Sequence, residues 1–294
     1  MIDLHIHTSY SDGSDDLITV LKKAEENNLE YISITDHDNC NVYKELEKID
    51  VRQYYSGKII PGIEIKCGYR GRLIEVLGYN IDTDKMQAWA DVFYKDKTKP
   101  MLQQKYFDLL YDKCMQMGLT LSDKEEIEFD NQKDWASLAI YTEIKKHEEN
   151  KAKVPEDFWT EFNSFSKKYC GDKNHVLHID KTKDYPTLSE AIDAIKAAGG
   201  IVFLAHVYIY KWAEDKDEMM DDIINNYQID GLECMHSDFS EEEIKHIIQK
   251  CKANKLYMSG GSDYHGVNKP NIEMRVGKGD LNIEVDLVKD WVNL

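Results

Sequence analysis

Two histidines stand two positions apart near the start of the chain, in Asp3-Leu4-His5-Ile6-His7, and Asp12 follows in the next turn. Residues i and i+2 of a strand face one way, so His5 and His7 can aim their imidazoles at one point. Neutral imidazole is a common metal ligand, and metal binding is the chemistry this spacing offers. For an isolated pair the competing reading is one ring packed in a core and the other capping a turn. The grouping returns, however. Asp36-His37-Asp38 follow a second apolar run, Glu64 ends a third, and His206 ends Ile201-Val202-Phe203-Leu204-Ala205. Asp263 and His265 follow a glycine-flanked run in Gly260-Gly261-Ser262-Asp263-Tyr264-His265-Gly266. One such residue at a strand end is ordinary; the same types at successive strand ends predict a metal cluster. Mixed imidazole and carboxylate ligands suit manganese, iron or zinc without choosing among them.

The elements that must position these groups alternate. Strands are expected at 2–7, 31–35, 58–64 and 201–206, with a hairpin of 65–69 and 73–79 about Arg70-Gly71. Ser14 is the expected cap of a helix through Leu17, Leu21 and Ala24, and a second helix is expected over 41–54. Later helices run from Leu188 to a stop at Gly199-Gly200, around 219–227, and from a Ser240 cap through Ile244 and Ile248. Strand–helix alternation favours parallel strands covered by helices, with the reactive edge at the carboxyl ends of the strands. Over 84–175 the texture changes to helical spacing dense in lysine and glutamate, too long for one connection. The chain therefore divides into 1–83 with 176–294, carrying the candidate cluster, and a helical insertion at 84–175.

The 294 residues carry 55 acidic and 37 basic side chains, a formal net charge of −18. Such a surface repels polyanions, which excludes duplex nucleic acid as the expected partner. Bound divalent cations would reverse the sign locally and admit a small phosphorylated substrate. Six scattered cysteines without a Cys-x-x-Cys pair read as reduced thiols, and no apolar run is long enough for a membrane span. The first strand begins almost at Met1, so no leader is expected and a cytoplasmic location is.

The same residues carry a resemblance. Asp3-Leu4-His5-Ile6-His7-Thr8 with Ser11-Asp12-Gly13, Thr35-Asp36-His37-Asp38, Pro61-Gly62-Ile63-Glu64, Leu204-Ala205-His206 and Gly261-Ser262-Asp263-Tyr264-His265-Gly266 resemble, in order, the motifs of the polymerase and histidinol phosphatase (PHP) family of metal-dependent phosphoesterases. Leu77-Gly78-Tyr79, the insertion and Pro270-Asn271 resemble its branch acting on small molecules and nucleotides. The resemblance implies an α/β fold, a distorted seven-stranded (β/α) barrel with the helical subdomain inserted, and two or three divalent ions. It implies one ion on His5, His7, Glu64 and Asp263, a second sharing Glu64 and using His206, and a third on Asp12, His37 and His265.

The chain departs from that pattern where the branch usually has a histidine before Leu-Gly-Tyr: here stands Glu75, either a more anionic ligand or a solvated strand residue. The basic residues usual in the insertion are replaced by Lys97-Thr98-Lys99-Pro100 and Asp134-Trp135-Ala136-Ser137-Leu138. The remaining candidates for phosphate contact are Lys99, Lys105, Lys269 and especially Arg275, since arginine grips phosphate bidentately. His236 reads either as a proton donor to a leaving group or as a helix-entry residue. Asp36, facing away from its neighbour His37 in extended backbone, reads as a group that supports a ligand. The expected activity is hydrolysis of a small phosphate ester, a nucleotide or short oligonucleotide, by metal-activated hydroxide. The alternatives are a histidinol-phosphate phosphatase and a non-catalytic metal-binding protein of the same fold.

Overall fold

Isoleucine- and valine-rich runs form the strands, and amphipathic runs between them form the helices. The computed structural model describes residues 1–293. The chain opens with β1 (Ile2–Ile6), α1 (Leu17–Glu26), β2 (Tyr31–Ile34), α2 (Asn41–Leu46), β3 (Lys58–Ile59), β4 (Gly62–Tyr69), β5 (Arg72–Tyr79) and α3 (Thr83–Phe93). Helices α4 (Lys99–Gln116), α5 (Ala136–Lys146) and α6 (Glu156–Thr160) follow. The chain closes with α7 (Leu188–Ala197), β6 (Ile201–Leu204), α8 (Lys216–Asn226), β7 (Gly231–His236), α9 (Glu241–Asn254) and β8 (Tyr257–Gly261).

These strands make an α/β fold with two sheets. One has the order β1-β2-β3, all parallel; the other has the order β4-β5-β6-β7-β8. In the second, β5 is antiparallel to both neighbours and the remaining pairs are parallel. Single bridges join Ile6 to Tyr264 and His37 to Glu64 at the two seams. The distorted seven-stranded barrel expected is not reproduced as such: the described residues form eight strands in two sheets. The reason is local: β2 stops at Ile34, and the chain turns away at Asp38, whose φ is 58°. Pairing with β4 then shrinks to a bridge with no ladder.

Other departures have similar causes. The run 58–64 breaks into β3 and the start of β4 because Pro61 has no N–H to give a ladder. The helix expected at 41–54 ends at Leu46 and resumes only as a 3-10 turn at Val51–Gln53. Asp16, not Ser14, caps α1 by accepting from the Thr19 N–H at 2.8 Å; the Ser14 hydroxyl accepts from the Val267 N–H instead. Ser240 does cap α9, in a reciprocal box with Glu243. Arg70 and Gly71, with φ of 47° and 72°, form the two-residue turn between β4 and β5 that suits the twist of paired strands.

Two compact units result: Met1–Val92 with Tyr185–Leu294, and Phe93–Asp184. The second begins later than the expected residue 84 because Met86 of α3 belongs to the first unit's core. That core holds Ile6, Leu21, Ile34, Ile63, Val76, Ile195 and Leu204. A further cluster joins Ile2, Leu4, Leu77, Tyr79, Phe203, Ile283 and Trp291. There the Trp291 ring stacks on Tyr79 at a centroid distance of 5.0 Å, and the Tyr79 hydroxyl donates to the Leu4 carbonyl at 2.9 Å. The second unit has its own core of Tyr106, Phe107, Leu110, Ile140, Ile144, Phe158 and Phe165.

Candidate metal centre

Alternation along β4 sends Ile63, Ile65 and Cys67 into the apolar core and leaves Glu64 and Lys66 on the opposite face. On β5, Ile74 and Val76 take the core side, so Glu75 shares the face of Leu77. Lys66 and Glu75 oppose one another directly in the ladder. The ends of β1, β2, β6 and β8 bring in the remaining groups. His206 and Asp263 lie at positive φ, 29° and 58°, an uncommon backbone for such residues and one concentrated at functional turns.

Glu64 is the meeting point. Its Oε2 lies 3.2 Å from each of His5 Nε2, His7 Nε2 and His37 Nδ1, and its Oε1 lies 2.8 Å from His206 Nε2. Asp263 Oδ1 stands 3.4 Å from His7 Nε2, 3.4 Å from His265 Nδ1 and 3.7 Å from His5 Nε2. Asp12 Oδ1 is 3.0 Å from His265 Nε2, and its Oδ2 is 3.6 Å from His37 Nε2. The Asp12 side chain is 57% exposed and so marks the open side, whereas His5, His7 and Glu64 are buried. Glu75 comes within 4.0 Å of His37 and 3.6 Å of His206. Four sets of potential donor atoms, each within 4.8 Å of one another, arise: His7-Asp12-His37-His265, His5-His7-Glu64, His5-His206-Glu233 and His37-Glu64-Glu75.

The hydrogen bonds around the rings fix where their protons sit. His5 Nδ1 lies 2.8 Å from Glu233 Oε1, which can only accept, so Nδ1 carries the proton. His265 Nδ1 similarly donates to the Asp263 carbonyl at 2.9 Å. In the neutral rings the Nε2 lone pairs then face carboxylate oxygens, acceptor against acceptor. His5 Nε2, His7 Nε2, His37 Nδ1 and His206 Nδ1 are buried without a hydrogen-bond partner. A buried acceptor cluster of this kind asks for protons or cations between its members, and the donor set fits divalent metal.

The charges agree. Burial would raise the Glu64 carboxyl, but His5 and His37 beside it hold it well below the usual range. Burial would lower His7, yet the Asp263 and Glu64 carboxylates packed against its Nε2 lift it to about 9. His37 goes the other way, pushed down to about 4, chiefly by burial.

Two residues have roles that the sequence did not disclose. Glu233, a polar residue within the otherwise apolar start of β7, holds both His5 and, through Oε2 at 2.7 Å, the His206 backbone N–H. Its only sequence signal was a lone carboxylate inside a buried strand. Lys66 reaches Glu75 at 3.0 Å. Asp36, expected as a group that supports a ligand, bonds around the turn after β1. Its oxygens accept from the Thr8 N–H at 2.8 Å, the Thr8 hydroxyl at 2.6 Å and the Ser11 hydroxyl at 2.5 Å, clamping the turn between His7 and Asp12.

His236 approaches Asp263 Oδ2 with Nε2 at 3.4 Å, and its Nδ1 accepts the Asp238 N–H at 3.1 Å. The neutral ring is therefore protonated at Nε2. Lys269 bonds Asp263 Oδ2 at 2.5 Å. Arg275 is held by its backbone N–H on Asp3 Oδ2 at 2.8 Å, with a buried guanidinium Nε that has no partner. Lys99 lies in the second unit, its ammonium 5.0 Å from the Trp135 ring centre, and Lys105 pairs there with Asp184.

Comparison with known proteins bears on this centre. A family model described as the PHP domain matches residues 3–228. A phosphoribosyl 1,2-cyclic phosphate 1,2-diphosphodiesterase from Eggerthella lenta is 24% identical over 281 residues, covering 93% of this chain and 98% of that protein. A 3',5'-nucleoside bisphosphate phosphatase from Chromobacterium violaceum is 22% identical over 271 residues, covering 90% and 87% respectively. A Bifidobacterium adolescentis structure, provisionally described as a metal-dependent phosphoesterase, superposes with a TM-score of 0.59 at 20% identity, covering 98% of this chain and 94% of that one. That likeness shows a shared fold.

Proposed function

This chain belongs to the PHP domain family, and from that premise we propose that it is a metal-dependent phosphoesterase hydrolysing a small phosphorylated substrate, a nucleotide or short oligonucleotide. The observation that carries the reading is the set of ring nitrogens turned on Glu64, at 3.2 Å and unpartnered. Ring nitrogens packed against carboxylate oxygens with no hydrogen-bond donor of the protein between them suit a site for cations. The two relatives described above act on a phosphoribosyl cyclic phosphate and a nucleoside bisphosphate, which favours phosphate carried on a nucleotide-like sugar.

On this reading His5, His7, Glu64 and Asp263 hold one ion, Glu64, Glu75 and His206 a second, and Asp12, His37 and His265 a third. Bound divalent ions supply positive charge for the phosphoryl oxygens and acidify water near neutral pH. The protein's own groups do the rest. Glu233 keeps the His5 proton on Nδ1 and so keeps Nε2 a ligand. Asp36 fixes the turn that presents Asp12. His236, whose Nε2–H is turned on Asp263, would on this reading be the proton donor to a leaving alcohol.

The test is an assay of the purified, manganese-loaded protein against nucleoside monophosphates and bisphosphates, cyclic phosphates, short RNA and histidinol phosphate. Chelator-sensitive phosphate release from the nucleotide group is expected. Release from histidinol phosphate alone would replace the substrate class, and no release from any ester would overturn the reading.

A further inference from the structure

The cluster is crowded with carboxylates: Asp12, Glu64, Glu75, Glu233 and Asp263 all touch its rings. Among the described residues two ammonium groups pair with them, Lys269 with Asp263 at 2.5 Å and Lys66 with Glu75 at 3.0 Å. Lys66 is fixed there by the fold. It follows Glu64 by two residues on one strand, so it shares that residue's face. It stands opposite Glu75 in the antiparallel ladder, and its backbone N–H donates to Asp38 Oδ1 at 3.1 Å. Its side chain is 32% exposed, where His5 and His7 are fully covered, so part of it is open to solvent.

A cation held beside a set of cation ligands works against loading metal, and its presence calls for another purpose. The purpose that fits is the anion. A chain of net charge −18 repels a phosphate at long range, and a strongly hydrated ammonium with three donors is a compact phosphate contact. We propose that Lys66 is a substrate-contact residue that grips a non-bridging phosphate oxygen beside Glu64 and Glu75, an inference that rests on the phosphoesterase reading above. Glu75 neutralises Lys66 while the pocket is empty. An arriving phosphate takes over one of its donors, and the pair selects esters whose phosphate retains negative charge.

The experiment uses the full-length, metal-loaded protein and its Lys66→Met and Lys66→Arg variants. Metal content is measured by mass spectrometry, and the affinity for inorganic phosphate by calorimetry. Lys66→Met should keep wild-type metal content yet bind phosphate about tenfold or more weakly, the loss of one charge-assisted hydrogen bond. Lys66→Arg should recover most of that affinity. Unchanged phosphate affinity in Lys66→Met overturns the assignment, as does a fall in affinity that tracks lost metal. Wild-type protein that binds no phosphate also overturns it. Wild-type protein that binds phosphate through Lys66 but hydrolyses no ester would retain the contact and remove only the phosphoesterase reading.

Discussion

At the scale of single residues, the centre separates groups that would hold a cation from groups that hold those groups. His5→Ala and Asp263→Ala should each remove bound metal and phosphate release together, measured by metal analysis and turnover. Folding should persist in both, because the apolar cores are elsewhere. Glu233→Gln is the sharper probe. The amide keeps an acceptor for His5 but sets an N–H against the His206 N–H, where the carboxylate accepted both. Metal affinity should fall about 10- to 100-fold, read by competition with a chromogenic chelator. The histidines were legible in the sequence because strand ends and i, i+2 spacing are local facts. Glu233 and Lys66 were not: a carboxylate in a strand and a lysine are ordinary until tertiary pairing gives Glu233 its partners His5 and His206, 228 and 27 residues away, and sets Lys66 against Glu75 across the ladder.

At the scale of elements, short strands decide how much of the architecture a sequence discloses. The parallel alternation and the Arg70-Gly71 turn followed from pattern and turn chemistry, but the sheet closure depended on whether four-residue β2 could reach β4. No local signal reports that. Helix α5 allows a prediction about acid. Burial would raise the Glu143 carboxyl, but Ser122, Lys146 and His147 bond it and lower it from 4.5 to about 2. A carboxylate depressed in the folded state adds stability above its unfolded value, lost as pH falls from about 4.5 toward 2. Hydrogen exchange of α5, corrected for the intrinsic rate of each amide at each pH, should accelerate over that interval in the wild type. In Glu143→Gln it should be faster at neutral pH and change less on acidification.

At the scale of the whole molecule, charge and packing set the conditions under which the centre works. Removing metal by chelation should lower Tm, because ions that bind only the folded chain stabilise it by about 2.7 kcal/mol at a hundredfold excess over Kd; calorimetry with and without EDTA measures this. Among the described residues no helix is long and apolar enough to cross a membrane. The Trp291 ring, wedged against Tyr79 and Phe203, each 5.0 Å away between ring centres, has a reach beyond its own contacts. Tyr79 grips the carbonyl of Leu4, the residue preceding His5. Clipping the chain ahead of Trp291, or blunting the indole to alanine at a cost of about 3–5 kcal/mol, would therefore slacken the rail on which the first imidazole rides. Trp291→Ala should accordingly weaken metal binding without altering one ligand.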